Sequence, residues 1–63
     1  MKTTEELYQY IIGKIRENMG YRERYGKDSV LYRSGVTKIT GMLELFEVVT
    51  GKTLVAYQQE RSI

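Results

Sequence analysis

The sequence contains no cysteine, no histidine, no proline and no tryptophan. Without cysteine there is no disulfide, and a zinc site would have to be built from carboxylates alone, which is improbable. Without histidine, a nucleophilic triad lacks its usual base. We therefore expect no metal site, no cofactor and no enzymatic activity. The absence of proline favours uninterrupted helices.

Long apolar runs are also missing. The longest strongly apolar stretch, residues 42–49, is interrupted by Glu44 and Glu47 and is far shorter than the ~20 residues that span a bilayer. The first residues are polar and acidic and do not resemble a signal peptide. We expect a soluble cytoplasmic protein without membrane contact. Ten basic and eight acidic side chains give a net charge of +2, which is too little to indicate nucleic-acid binding by charge alone.

The chain has only 63 residues, and we interpret residues 1–63 as a single domain. A domain of this size buries only about 60% of its unfolded surface and is marginal as a monomer. Small domains compensate with disulfides, metals, very regular helix packing or oligomerisation. Since the first two are excluded, helix packing and oligomerisation remain.

A first helix is predicted at about residues 4–19. Thr3 and Glu6 have the spacing of a capping box, and Asn18 and Gly20 are typical of a helix end. One side of this helix is apolar, with these residues: Leu7, Tyr8, Ile11, Ile12, Ile15 and Met19. Residues 20–29 are predicted to form a basic and aromatic connection.

A second helix is predicted at about residues 30–50, with Asp28 or Ser29 as its N-terminal cap and Gly51 as its C-terminal cap. The residues that we expect to form the packing seam of this helix recur at alternating steps of four and three: Tyr32, Val36, Ile39, Leu43, Phe46 and Thr50. This spacing is typical of a helix that packs on another helix. Two glycines, Gly35 and Gly41, are unfavourable there, unless the helix begins late, near Ser34, or the glycines lie where another backbone comes close.

The second helix is apolar beyond this seam, so the first helix can cover only one of its sides. The remaining apolar side predicts a homodimer, since a two-fold dimer is the commonest closed assembly. The predicted self-association residues are Met42, Leu45, Val48 and Val49.

Residues 53–61 form a short C-terminal segment, with Thr53 as a possible cap. A short helix and a short strand fit its composition about equally, and we favour the helix because a lone strand has no partner. The predicted fold is thus all-α, an antiparallel helical hairpin with a short C-terminal segment. The alternative is a small α+β fold in which residues 29–33 and 54–57 pair as strands.

Basic and tyrosine side chains alternate around the connection. The candidate partner-binding residues are Tyr21, Arg22, Arg24, Tyr25, Lys27 and Arg33. Tyrosine and arginine dominate protein-binding hot spots, but the same composition can stack bases and neutralise phosphates. A third interpretation is that the tyrosines pack across the hairpin while the arginines are solvated. Nearby acidic residues weaken the nucleic-acid interpretation.

Two short motifs bound the second helix: Tyr32 with Gly35 opens it, and residues 50–52, Thr-Gly-Lys, close it. This pattern resembles small helical-hairpin proteins of phages and mobile elements of Gram-positive bacteria. The resemblance implies an origin of that kind, in the cytoplasm of a bacterial host, and a role in binding and modulating or inhibiting a host or defence-system protein. The alternatives are a nucleic-acid-binding accessory protein and a structural component of phage assembly.

Overall fold

The computed structural model describes residues 3–62. They form three helices: α1 (Thr4–Tyr25), α2 (Val30–Thr50) and α3 (Leu54–Arg61). α1 and α2 pack side by side as a hairpin, and α3 packs against the end of the hairpin where α1 begins and α2 ends. Within the described range there is no strand, so the all-α prediction is confirmed and the α+β alternative is wrong.

Each helix begins at a hydroxyl cap. The hydroxyl oxygens of Thr3, Ser29 and Thr53 accept hydrogen bonds from backbone N–H groups three residues later, at 3.1, 3.2 and 3.1 Å. These bonds satisfy backbone donors that have no partner within the helix. α2 ends at Gly51, which adopts the left-handed conformation at φ 76°, as predicted from its position. The tail beginning at Thr53 is helical, as we favoured from the sequence.

α1 is longer than its sequence indicates. The predicted end at Asn18 and Gly20 is wrong, and so is the ten-residue connection. The helix continues to Tyr25 and ends at Gly26, whose φ of 90° suits glycine and whose N–H donates to the Arg22 carbonyl at 2.9 Å. The connection is therefore only residues 26–29. Asn18 does not act as a cap, because its side chain is turned towards α2 instead.

The buried core is small and lies near the α3 end of the hairpin. Among the described residues, the buried hydrophobic side chains are Tyr8 and Ile11 from α1 and Phe46 from α2. α3 contributes Tyr57, whose ring centroid is 5.9 Å from that of Phe46 and 5.2 Å from that of Tyr8. Other side chains pack around them while partly exposed: Leu7, Ile12, Ile15, Met42, Leu43 and Leu54. So small a core agrees with marginal stability for an isolated copy.

Polar contacts attach α3 to the start of α1. The Glu5 carboxylate accepts hydrogen bonds from Gln9 at 2.8 Å, from the Tyr57 hydroxyl at 2.9 Å and from Arg61 Nε at 2.7 Å. These donors, with Gln9 the largest contributor, lower the pKa of Glu5 from 4.5 to about 2. The Arg61 guanidinium also lies 4.6 Å from the centre of the Tyr8 ring, within cation–π range.

Two residues on the predicted apolar seams are more exposed than the sequence suggests. Met19 on α1 is 55% exposed and Val36 on α2 is 43% exposed. Both lie in the half of the hairpin nearer to the connection. α3 has eight residues and is therefore only about 12 Å long. It covers the half that contains Phe46 and leaves the other half open.

Asn18 joins the two long helices at the half that α3 leaves open. Its side chain is only 5% exposed, and its Nδ2 donates a hydrogen bond to the Tyr32 carbonyl at 3.2 Å. Its Oδ1 accepts no hydrogen bond from the described residues and packs against Gly35, in the space that a Cβ atom would occupy. This explains why α2 tolerates a glycine on its seam.

Candidate interaction surface

The first candidate surface is the tyrosine–arginine cluster, which we define as the six predicted partner-binding residues: Tyr21, Arg22, Arg24, Tyr25, Lys27 and Arg33. The structure places four of them on the last two turns of α1, Lys27 in the connection and Arg33 on the first turn of α2. They therefore share the connection end of the hairpin. Apart from the partly buried Tyr21, all of them are exposed.

Two tyrosines of the cluster are packed in an ordered row along α1. The ring centroids of Tyr21 and Tyr25 are 6.5 Å apart, at the i, i+4 spacing that makes side chains neighbours on a helix. The Tyr21 hydroxyl donates to the Glu17 carboxylate at 2.7 Å. This bond raises the pKa of Tyr21 above its ordinary value of 10.0, so the phenol stays neutral and retains its proton for hydrogen bonding.

The cationic members of the cluster are arranged differently. The Arg22 guanidinium lies 5.9 Å from the centre of the Tyr32 ring, so this arginine is held between the two long helices by a cation–π contact. Arg24, Lys27 and Arg33 are exposed and form no ion pair with any residue between 3 and 62. Their charges are therefore accessible to an acidic partner.

The second candidate surface is the α2 flank. We define it by six apolar side chains on the side of α2 that lies next to the packed seam: Val30, Leu31, Met42, Leu45, Val48 and Val49. The four predicted self-association residues all belong to it. Leu45, Val48 and Val49 are 59, 78 and 65% exposed. Together the six side chains expose on the order of 500 Å² of surface, with the exposed Ser34 and Lys38 between the Leu31 and Met42 parts of the flank.

A groove between α1 and α2 connects the two surfaces. It encloses about 330 Å³, and its lining includes Tyr21 of the tyrosine–arginine cluster together with Leu31 and Met42 of the α2 flank. Lys14 from α1 and Lys38 from α2 also line it. The two candidate surfaces, which the sequence presents as separate, are therefore continuous across the groove.

Several groove residues were not predicted from the sequence as functional. Lys14 is near Tyr10, 5.5 Å from the ring centre, and 3.8 Å from the Glu17 carboxylate. Lys38 is exposed and forms no ion pair within residues 3–62. One signal was present: residues 31, 38, 42, 45 and 49 of α2 are spaced by seven, four, three and four positions, which places them in a second row beside the seam.

Over residues 3–62, no three acidic, cysteine or histidine side chains are grouped closely enough to hold a metal ion. No helix within that range is long and apolar enough to span a bilayer.

No protein-family model, curated protein or solved structure matches this chain.

Proposed function

We propose that this chain is a non-enzymatic protein that binds another protein through the tyrosine–arginine cluster. The observation that carries this proposal is the cluster's exposure and order: the Tyr21 and Tyr25 rings are aligned along α1, beside the exposed cations Arg24 and Lys27. Rigid aromatic rings and arginine are the side chains that contribute most at protein interfaces. The α1 backbone holds them in place before binding, which reduces the entropy lost on association.

The same proposal includes self-association through the α2 flank. A stable interface typically buries about 800 Å² on each partner, and the exposed apolar surface of the flank would supply the centre of such an interface. The six flank side chains carry no charge. Lys38, the charged residue in the same row of α2, is exposed, and its long side chain can keep the ammonium group in water when two copies meet. The small core favours the dimer as well, since burying the flank adds stability that one copy lacks.

The biological role that we propose follows from the resemblance to phage and mobile-element hairpin proteins. In this role the chain acts in the cytoplasm of a bacterial host, where it binds and modulates or inhibits a host or defence-system protein. The small size of the chain and its two interaction surfaces support the proposal that it acts by covering part of a partner's surface.

Affinity capture with paired variants tests the proposal. The protein is immobilised and exposed to bacterial lysate, in parallel with an Arg24→Glu/Tyr25→Ala variant and with a control variant, Arg16→Glu/Val55→Ala, which changes exposed side chains outside the cluster. We expect a specific protein to be retained by the original chain and by the control, and to be lost from the cluster variant. Retention that is equal for all three proteins would refute the role of the cluster.

A further inference from the structure

We infer that the groove between α1 and α2 binds an amphipathic helix that carries acidic side chains beside its apolar row. This inference rests on the proposed protein-binding function and specifies the chemistry of the partner. Its occupant is a segment of another protein.

The length and the walls of the groove indicate a helix as its ligand. The residues that line it on α1 extend from Tyr10 to Tyr21, a distance of about 16 Å, or three helical turns. On α2, Leu31 and Met42 line the same length. The apolar part of the lining is formed by Leu31, Ile39 and Met42, and polar side chains such as Asn18 and Ser34 lie among them. An elongated groove of this mixed character between two packed helices suits the apolar face of a third, amphipathic helix.

The charges of the groove indicate that this helix is acidic. Lys14 and Lys38 lie on opposite walls, and the acidic residue in the lining is Glu17. The Glu17 carboxylate already accepts a hydrogen bond from the Tyr21 hydroxyl and lies 3.8 Å from the Lys14 ammonium. Lys38 has no such partner within residues 3–62. A bound helix that places a carboxylate beside Lys38 gains charge complementarity at the groove's edge.

A second copy of this chain complements the groove less well than an acidic helix of another protein does. The α2 flank, which is continuous with the groove, contains no acidic side chain. Two copies that meet through these faces would bring apolar side chains and lysines to each other, while Glu17 is already engaged. A second copy therefore suits the uncharged flank, and an acidic partner suits the groove.

Selection from a display library of helical peptides, randomised at both apolar and charged positions, tests this inference. The selected peptides are synthesised, and their affinities are measured by fluorescence anisotropy. Besides the original protein, four variants are used: Lys38→Glu, Lys38→Arg, Arg24→Glu and Arg16→Glu. Arg16→Glu is the matched control, because it makes the same change of charge at an exposed position of α1 that belongs neither to the groove lining nor to the tyrosine–arginine cluster. Circular dichroism checks that each variant remains helical.

We expect the selected peptides to be enriched in aspartate and glutamate beside an apolar row. Lys38→Glu should weaken their binding by about tenfold, since it replaces an attraction with a repulsion. Lys38→Arg should keep the affinity of the original protein, because it keeps the positive charge. Arg16→Glu should change the affinity by less than about twofold, because exposed charges more than a Debye length apart are largely screened.

Several outcomes would overturn the inference. One is a set of selected peptides without acidic enrichment, and another is a failure to select any helical peptide. A third is binding that Lys38→Glu leaves unchanged while Arg24→Glu abolishes it; that result would place the partner on the tyrosine–arginine cluster and leave the proposed function intact. A change in oligomeric state caused by Lys38→Glu would instead assign the groove to a second copy.

Discussion

The Asn18 carboxamide oxygen lies where a Cβ atom of residue 35 would be. The Asn18 side chain can therefore occupy this position only because residue 35 is glycine. The amide nitrogen of the same side chain donates to the Tyr32 carbonyl. Because the Asn18 carboxamide is buried, its contacts hold α1 and α2 in one relative position. A shift of either helix along its axis would break the hydrogen bond and bury an unpaired amide.

Gly35→Ala should therefore destabilise the protein, although alanine is the better helix former. The new methyl group overlaps the Asn18 carboxamide, and overpacking of this kind typically costs about 1–3 kcal/mol. Gly13→Ala is the matched control, because no atom lies within 4 Å of its added Cβ. It should stabilise the protein by up to about 1 kcal/mol. Urea unfolding of both variants measures the difference.

The double variant Asn18→Ala/Gly35→Ala isolates this contact. If the overlap is the cause, Gly35→Ala should be much less harmful when Asn18 is already alanine, and the two changes should not add. Additive effects in the unfolding free energy would mean that Gly35 is required for another reason.

Leu45→Glu should convert a dimer of this chain into a monomer. The side chain is 59% exposed in one copy, so the change leaves the single copy folded but places a charge in the centre of the α2 flank. Sedimentation equilibrium is the appropriate measurement, since it distinguishes the 7.4 kDa chain from its dimer.

Val55→Glu is the control for this prediction. Val55 is also apolar and similarly exposed, at 61%, but it lies on α3, outside the flank. We expect this variant to remain dimeric. A dimer that survives Leu45→Glu would place the interface elsewhere, and an original protein that is monomeric at all concentrations would refute self-association.

The attachment of α3 should weaken in acid. The pKa of Glu5 is lowered from 4.5 to about 2 in the folded protein. A carboxylate with a lowered pKa stabilises the fold above its unfolded value, and this contribution disappears as the pH falls towards the folded value. The melting temperature of Glu5→Gln should thus be lower than that of the original protein at pH 6, and the difference should vanish by about pH 2.

Glu44→Gln provides the reference for this measurement. Glu44 is exposed on α2 and makes no hydrogen bond or ion pair with the described residues. Its substitution should leave the dependence of melting temperature on pH unchanged. A Glu5→Gln curve parallel to that of the original protein would show that ionisation of Glu5 makes no contribution to stability.

Nucleic-acid binding gives a separate test of the tyrosine–arginine cluster. If the cluster contacts phosphates, DNA or RNA should be retarded in a gel at low salt, with affinity that falls steeply as salt is raised. We expect no such retardation, because Glu23 and Asp28 lie among the basic residues and reduce their field. Salt-sensitive retardation that Arg24→Glu removes would favour the nucleic-acid function instead.

The helices and their caps could be predicted from the sequence because both depend on nearby residues. Thr3, Ser29 and Thr53 each bond to a backbone group three positions away, and the seam of α2 has a regular spacing. The end of α1 was predicted wrongly because Asn18 and Gly20 have the composition of a stop. In the structure Asn18 is instead an interior residue, because it contacts α2, which is a distant part of the chain.

The candidate surfaces could be predicted only in part from the spacing and composition of the sequence. Helical geometry identified Leu45, Val48 and Val49 as an apolar side, and composition identified the basic tyrosine-rich segment. The groove depends on how two helices pack against each other, and a helical wheel describes the side chains of one helix only. The contact of Glu5 with Tyr57 and Arg61 joins residues more than fifty positions apart, and no pattern of neighbouring residues predicts it.

The bond between Glu5 and Arg61 also decides how this hairpin can be attached to something else. It brings the first turn of α1 and the last turn of α3 together, while α1 carries Tyr25 about 30 Å away at its other end. A label, surface tether or fused domain joined before α1 or after α3 would therefore project away from the tyrosine–arginine cluster. Either route leaves that tip of the molecule unobstructed, and two attachments would sit side by side.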